Sequence, residues 1–181
     1  MNNVPIFEHT DTGFKKPEKT HVLSDTDYSA ALSTFVFACV DILVTTNEGI
    51  MLVKRKLKPG AGNLWFIGGR MAFGESVKEA TARIFARETR LFVGPEKFKL
   101  VTIALTRWGD REQEPQNAGA HQVVFCHHVH LDQNMLCLMH FDQKEYESEG
   151  QVFIPNSAWA EKLTGSQLHP YVRNVILMVA K

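Results

Sequence analysis

The segment from Gly68 to Leu91, GGRMAFGESVKEATARIFARETRL, constrains this chain more than any other. A Gly-Gly-Arg turn follows the apolar run Leu64-Trp65-Phe66-Ile67, and a loop then leads into a stretch of helical periodicity. On a helical wheel Val77, Ala80, Thr81, Ile84, Phe85 and Leu91 share one face, while Glu79, Arg83, Arg87 and Arg90 share the other. Glu88 breaks the pattern. It follows Ile84 by four residues and Thr81 by seven, where apolar side chains point. A carboxylate there must be paired, hydrogen-bonded or bound to a cation, because an unpaired buried charge costs several kcal/mol. Two readings stay open: a salt bridge to a neighbouring arginine at a helix end that a small change of phase exposes, or a cation site. The glycines favour the second. Gly68 and Gly69 let the backbone approach a ligand closely and can aim a carbonyl at a metal ion.

The rest of the chain reads as one domain built around this segment. Residues 1–22 are polar, contain Pro5 and Pro17, and read as an extended arm; residues 23–181 form the domain. Ser24 with Asp27 makes a capping-box-like start for a short helix to about Leu32. Phe35 to Thr45 is a buried strand, turned by Asn47-Glu48-Gly49 into a partner at Ile50 to Lys54. Strands are expected at Leu64, Phe98 to Arg107, His121 to Leu131 and Gln151 to Ile154, with a short strand or helical turn at Leu136 to Phe141. Gly109 to Gly119 reads as a mobile loop at a site mouth, and residues 142–150 as an acidic loop. Pro155-Asn156-Ser157 caps a short helix near Trp159, and His169 to Ala180 forms a last helix. This order fits an α/β fold with a mixed sheet between helices.

Composition excludes several classes. The 20 basic and 20 acidic residues balance, so no nucleic-acid or membrane surface is indicated. With 44% hydrophobic residues in 181, the chain has enough apolar material for a full core. No apolar run approaches the ~18 residues of a membrane span, and the N-terminus lacks the layout of a signal peptide. Cys39, Cys126 and Cys137 have no CxxC spacing and read as reduced core residues of a cytoplasmic protein.

The spacing Gly69, Glu75, Arg83, Glu88, Leu91 resembles the Nudix box, the loop-helix-loop signature of Nudix hydrolases. The box expects further carboxylates where Ile84 and Arg87 stand, and a glycine where Arg90 stands. One branch, the GDP-mannose mannosyl hydrolases, has a reduced box and a single metal ion. This chain is similar to that branch at Val40-Asp41-Ile42, Lys54-Arg55, Trp65-Phe66, Gly68-Gly69-Arg70, His121 before Val123-Val124, and His169 four residues before Arg173. The resemblance runs from about Leu23 nearly to the C-terminus. It implies the Nudix α/β/α fold, a homodimer, and hydrolysis of a nucleoside diphosphate sugar of the GDP-mannose or GDP-glucose type.

Hard Mg²⁺, with Mn²⁺ as a substitute, takes one or two carboxylates and fills its remaining positions with water and substrate oxygens. Glu88 plus a carbonyl of Gly68 or Gly69 could therefore suffice. The resemblance places Arg55 against the departing diphosphate. Arg70 is expected to bind the same phosphates as a bidentate fork, and Arg83 to brace the loop through Glu75. Asp41 is a charge inside an apolar strand, and its family counterpart is a substrate contact. Gln122 stands where the branch has a tyrosine near the phosphates. Trp108, at a strand end beside a polar loop, is the candidate to contact a base, while Trp65 and Phe66 read as core. His127, His128 and His130 lack an evident third metal ligand.

In the resembled branch water attacks the anomeric carbon with inversion, helped by a loop histidine acting as base. The corresponding loop here, residues 142–149, contains no histidine, and Ser148 is the nearest equivalent. Three explanations stay open. Glu147 or Glu149 serves as base or metal ligand; His121 reaches in from its strand; or glycosyl transfer has been lost, leaving diphosphate cleavage or nucleotide binding alone. A carboxylate from 147–149 is the expectation.

Overall fold

The computed structural model describes residues 6–18, 22–158 and 168–179, excluding the side chain of Glu149. Its centre is β1 (Phe37–Thr45), whose residues from Cys39 to Thr45 are all buried. Such a strand needs cover on both faces, which is why it reads as a nearly continuous apolar run. Cys39 and Leu43 pack in one cluster with Val172, Val175 and Ile176 of the last helix, α4 (Pro170–Val179). Ile42 and Val44 pack in a second with Phe85 of α2 (Val77–Thr89). The mixed sheet therefore lies between helices, as expected.

Seven strands build it. β1 pairs with β2 (Gly49–Arg55) and β4 (Ile67–Arg70) antiparallel along one edge, and with β6 (Ala120–His130) parallel along the other. β5 (Lys99–Trp108) closes the β6 side; β3 (Leu64–Trp65) and β7 (Tyr146–Pro155) both pair with β2. The short helices are α1 (Asp25–Thr34), capped by Ser24, and α3 (Gln133–Leu136). No helix among the described residues is long and apolar enough to cross a membrane.

Several expectations are corrected. Gly68-Gly69-Arg70 is not a turn but strand β4, paired with Asp41, Val40 and Cys39. The 109–119 segment is pinned rather than free. Its Arg111, only 1% exposed, donates to Ser29 Oγ (2.7 Å) and Ser33 Oγ (3.0 Å) of α1 and to the carbonyls of Gln113 and Gly119. Half of the acidic loop is strand, because β7 begins at Tyr146, where it pairs with Arg55. The irregularity in this pairing between Val53 and Arg55 hides the alternation from a sequence reading. Cys137 is exposed, ending α3, although Cys39 and Cys126 are buried. Trp159 lies outside the described residues; the residues before it form a 3-10 turn at Asn156–Ala158.

The N-terminal arm lies on the domain's own box helix. Glu8 accepts a hydrogen bond from the Val77 N–H at 3.0 Å, and Lys16 pairs with Glu79 at 3.2 Å. Phe14 packs on Phe73 with ring centroids 5.7 Å apart.

Candidate active site

α2 is the best-specified element, and its start is a complete capping box. Ser76 Oγ accepts from the Glu79 N–H, and the Glu79 carboxylate accepts from the Ser76 N–H at 2.8 Å. Arg83 grips Glu75 through two nitrogens, one at 2.9 Å, and Glu75 in turn accepts from the Ala72 N–H at 2.7 Å. This is the expected brace, fixing the loop between β4 and α2. At the other end Arg90 takes the left-handed conformation with φ 59°. That region costs a residue with a Cβ about 1 kcal/mol or more, so a glycine fits the position better.

Glu88 is 2% exposed despite its charge. The arginine pairing is realised on one oxygen, and the other carries no such pair. Oε1 accepts from Arg87 Nε at 2.7 Å and lies 2.5 Å from Arg87 Nη2. Oε2 is buried and has no hydrogen-bond partner among the described residues. Burial raises the Glu88 carboxyl above its ordinary value; Arg87 pulls it down, the nearby Glu145 charge pushes it up, and the adjacent Tyr146 hydroxyl pulls it down. Glu145 is the carboxylate that the sequence reading passes over.

The two glycines differ in what they offer. The Met71 N–H donates to the Ala38 carbonyl at 3.0 Å. Counting along the antiparallel ladder, Val40–Gly69 is then a hydrogen-bonded pair and Asp41–Gly68 is not. The Gly68 carbonyl therefore points away from β1, toward the open edge of β4, while Gly69 spends its backbone groups on the sheet. Of the two expected backbone ligands only Gly68 remains available. A side chain at Gly68 would lie 2.2 Å from Asp41 Oδ1, so its glycine also makes room for that carboxylate.

Tyr146, buried at the start of β7, joins the two charged sides of the site. Burial and the Glu88 charge push its hydroxyl up, Arg55 pulls it down, and the Gly68 backbone reaches the same group. Arg55 itself has a buried Nε with no hydrogen-bond partner among the described residues. Its side chain lies beside Gly60, where an added Cβ would be 3.7 Å from Arg55 Cδ and 3.3 Å from Trp108 Cη2. Glu88, with a bare Oε2, and Arg55, with a bare Nε, both lie within electrostatic reach of Tyr146.

On the opposite face of the sheet Asp41 is 8% exposed and its Oδ2 accepts from the Tyr171 hydroxyl at 2.8 Å. Burial raises its pKa to about 6, against the opposing pull of Tyr171, Arg55 and Trp65. The Tyr171 hydroxyl also touches Cys126 Sγ at 2.8 Å, and its ring stacks on Trp65 at 5.1 Å. Trp108 and His169 complete this aromatic group, each within 6 Å of Trp65 between centroids (5.2 and 5.1 Å). Trp65 is core, as expected, and the buried Trp108 Nε1 has no partner.

The remaining candidates are dispersed. Arg70 lies 4.1 Å from the Tyr28 ring centroid in a cation–π contact, and its carbonyl holds Arg83. Glu147 pairs with Lys54 at 2.9 Å. The Glu149 side chain lies outside the described residues, and Ser148 is exposed. His121 lies opposite Arg107 on β6, with a buried Nε2 that has no partner; Gln122 accepts from Thr106 on the other face of that strand. His128 Nε2 and His130 Nδ1 share the Thr45 hydroxyl at 2.7 and 3.1 Å, and His127 contacts the Phe125 carbonyl. A cleft of about 390 Å³ opens beside Tyr146, Glu147 and Ser148. A larger one of about 570 Å³, between α1 and residues 112–114, lies away from these charges.

Among the described residues no three His, Cys, Asp or Glu side chains come together as a metal cluster. The donor set suits a hard cation held by one carboxylate oxygen and a backbone carbonyl, with water and substrate oxygens supplying the rest. It does not suit a cage built wholly of protein ligands.

Residues 36–159 match the family profile described as NUDIX domain. No curated protein matches the chain. Among solved structures it is similar to the NUDIX domain of Shewanella oneidensis NrtR, complexed with ADP ribose, at TM-score 0.58 and 14% identity over 87% of this chain and 97% of that one. The MutT protein of Methanosarcina mazei Go1 is similar at TM-score 0.58 and 15% identity, over 78% and 91%. A MutT/nudix family protein of Enterococcus faecalis is similar at TM-score 0.53 and 12% identity, over 67% of this chain but 44% of that one, so this chain spans less than half of that relative. At such identities the likeness concerns the fold.

Proposed function

The chain belongs to the Nudix family, and from that premise we propose that it hydrolyses nucleoside diphosphate sugars with the help of one divalent cation. The observation that carries this reading is a pair of unsatisfied buried atoms, Glu88 Oε2 and Arg55 Nε, on side chains that both lie within electrostatic reach of Tyr146. A buried polar atom left without a partner costs about 1–3 kcal/mol, more for a charged group. A cation bound by a diphosphate would satisfy both atoms together. The bound cation, Mg²⁺ or Mn²⁺, would neutralise phosphate charge. Arg55 would donate to the diphosphate oxygens, with Arg70 a further cation for the same group, and Glu88 and the Gly68 carbonyl would hold the ion. Trp108 would present its ring or its free N–H to the nucleotide. The similarity to a domain complexed with ADP ribose supports a nucleoside diphosphate joined to a sugar as the substrate class.

The reading extends to GDP-mannose or GDP-glucose cleaved at the anomeric carbon, by the resemblance around Asp41, Arg55 and Gly68. A second reading is cleavage between the phosphates, and one contact favours it. Glu147, the expected base for glycosyl transfer, is engaged by Lys54, whereas Glu145 lies within electrostatic reach of Glu88.

Incubation with a panel of sugar nucleotides and Mg²⁺ in ¹⁸O-water tests both. Label on the sugar supports glycosyl transfer, and label on a phosphate supports the second reading. No turnover, together with thermal stabilisation by nucleotide, would mean a binding module and overturn hydrolysis.

A further inference from the structure

The position of Arg87 gives the site a property beyond its chemistry. One atom, Nη2, lies 2.5 Å from Glu88 Oε1 and only 2.9 Å from where a Cβ on Gly69 would sit. The guanidinium therefore occupies the gap between the glycine strand and the buried carboxylate, and a side chain at position 69 would press on it. Ile84 Cδ1 lines the same gap at 3.5 Å. A positive group already stands where a cation would approach Glu88, and it neutralises half of the carboxylate. Its own side chain is 49% exposed, so it can leave without disturbing the core, whereas Glu88 is buried and stays.

We propose that Arg87 is a resident cation that keeps Glu88 from binding a free metal ion and moves to an incoming diphosphate, so that ion and substrate enter together. This rests on the metal-assisted reading above. The driving force is the exchange of one carboxylate oxygen for phosphate oxygens, which carry more charge and accept the guanidinium as a fork. Glu88 Oε1 then joins Oε2 in facing the ion. By linkage, ion and diphosphate each raise the other's affinity by the same factor.

The test is a titration of the full chain with Mn²⁺, reading the free ion by electron paramagnetic resonance. Wild type, Arg87→Gln, Arg87→Lys and Glu88→Gln are compared without any nucleotide. Arg87→Gln should hold Mn²⁺ about ten-fold more tightly than wild type, the equivalent of losing one competing ion pair. Arg87→Lys, which keeps the charge, should stay close to wild type. Equilibrium dialysis of methylenediphosphonate should show that Mn²⁺ strengthens its retention more in wild type than in Arg87→Gln. If Arg87→Gln binds Mn²⁺ no better than wild type while Glu88→Gln binds it worse than both, the gate is wrong and the metal site stands. If Glu88→Gln retains Mn²⁺ as well as the others, the metal site itself is wrong.

Discussion

Two buried carboxylates stand on opposite faces of one sheet, and their surroundings treat them differently. Asp41, facing α4, is closed off by the Tyr171 hydroxyl within an aromatic group formed by Trp65, Trp108 and His169. Glu88, on α2, has one oxygen held by an exposed arginine and the other left bare. Both carboxyls are raised by burial, so the difference lies in their partners. A carboxylate partnered from its own core contributes shape and polarity to a pocket wall. One with a bare oxygen and a displaceable partner can take an ion once that partner moves. Arg55 lies within electrostatic reach of Asp41 and Tyr146, and so connects the two sides.

The sharpest way to break this contrast is Glu88→Gln. It should lower kcat/KM by about a thousand-fold or more, the loss of roughly 4 kcal/mol of transition-state stabilisation. Its thermal midpoint should hold or rise, because a buried charge is removed. A variant of unchanged activity would remove the distinction between the two carboxylates.

Asp41→Asn should act on stability, with a sign set by protonation. The folded carboxyl titrates near 6 against an ordinary 3.8, so between these values the folded state binds more protons than the unfolded one. Wild-type stability therefore falls as pH rises from about 4 to 6 and stays lower above that window. The Asn variant should lack the slope and gain up to about 3 kcal/mol at neutral pH, measured by urea unfolding across that range. A parallel pH profile for the two proteins would show that Asp41 is not strained by burial.

Arg55→Lys keeps the charge but loses the planar fork, and about thirty-fold in kcat/KM should go with it, near 2 kcal/mol. The smallest effect belongs to Tyr171→Phe. Removing its hydroxyl leaves Asp41 Oδ2 with one donor fewer and should cost about 1–2 kcal/mol in chemical unfolding. It should also push the Asp41 carboxyl higher, extending to higher pH the slope that Asp41→Asn abolishes.

Much of this arrangement was legible in the chain. Periodicity located α2 and its buried face; the Ser76–Glu79 capping box at its start came only from the structure. Both anomalous carboxylates were identified by charge in an apolar register, as was the Arg83–Glu75 brace by its spacing. The partners were not legible. Tyr171 reaches Asp41 across 130 positions, and Tyr146 sits in what reads as a polar loop until β7 pairs with β2. Glu147 and Glu145 are indistinguishable in sequence; pairing across β2 turned the first to Lys54 and left the second near Glu88. Gly68 and Gly69 looked alike too, yet the register makes one open and the other engaged.

Local pattern by itself determined which residues carry buried charge, because burial follows periods of a few residues that any single element displays. Which oxygen stays bare, which glycine carbonyl is free and which arginine stands against Glu88 were decided only in the folded molecule. Those outcomes depend on strand register and on side chains meeting across long separations, where shifts of an ångström separate a hydrogen bond from an empty site.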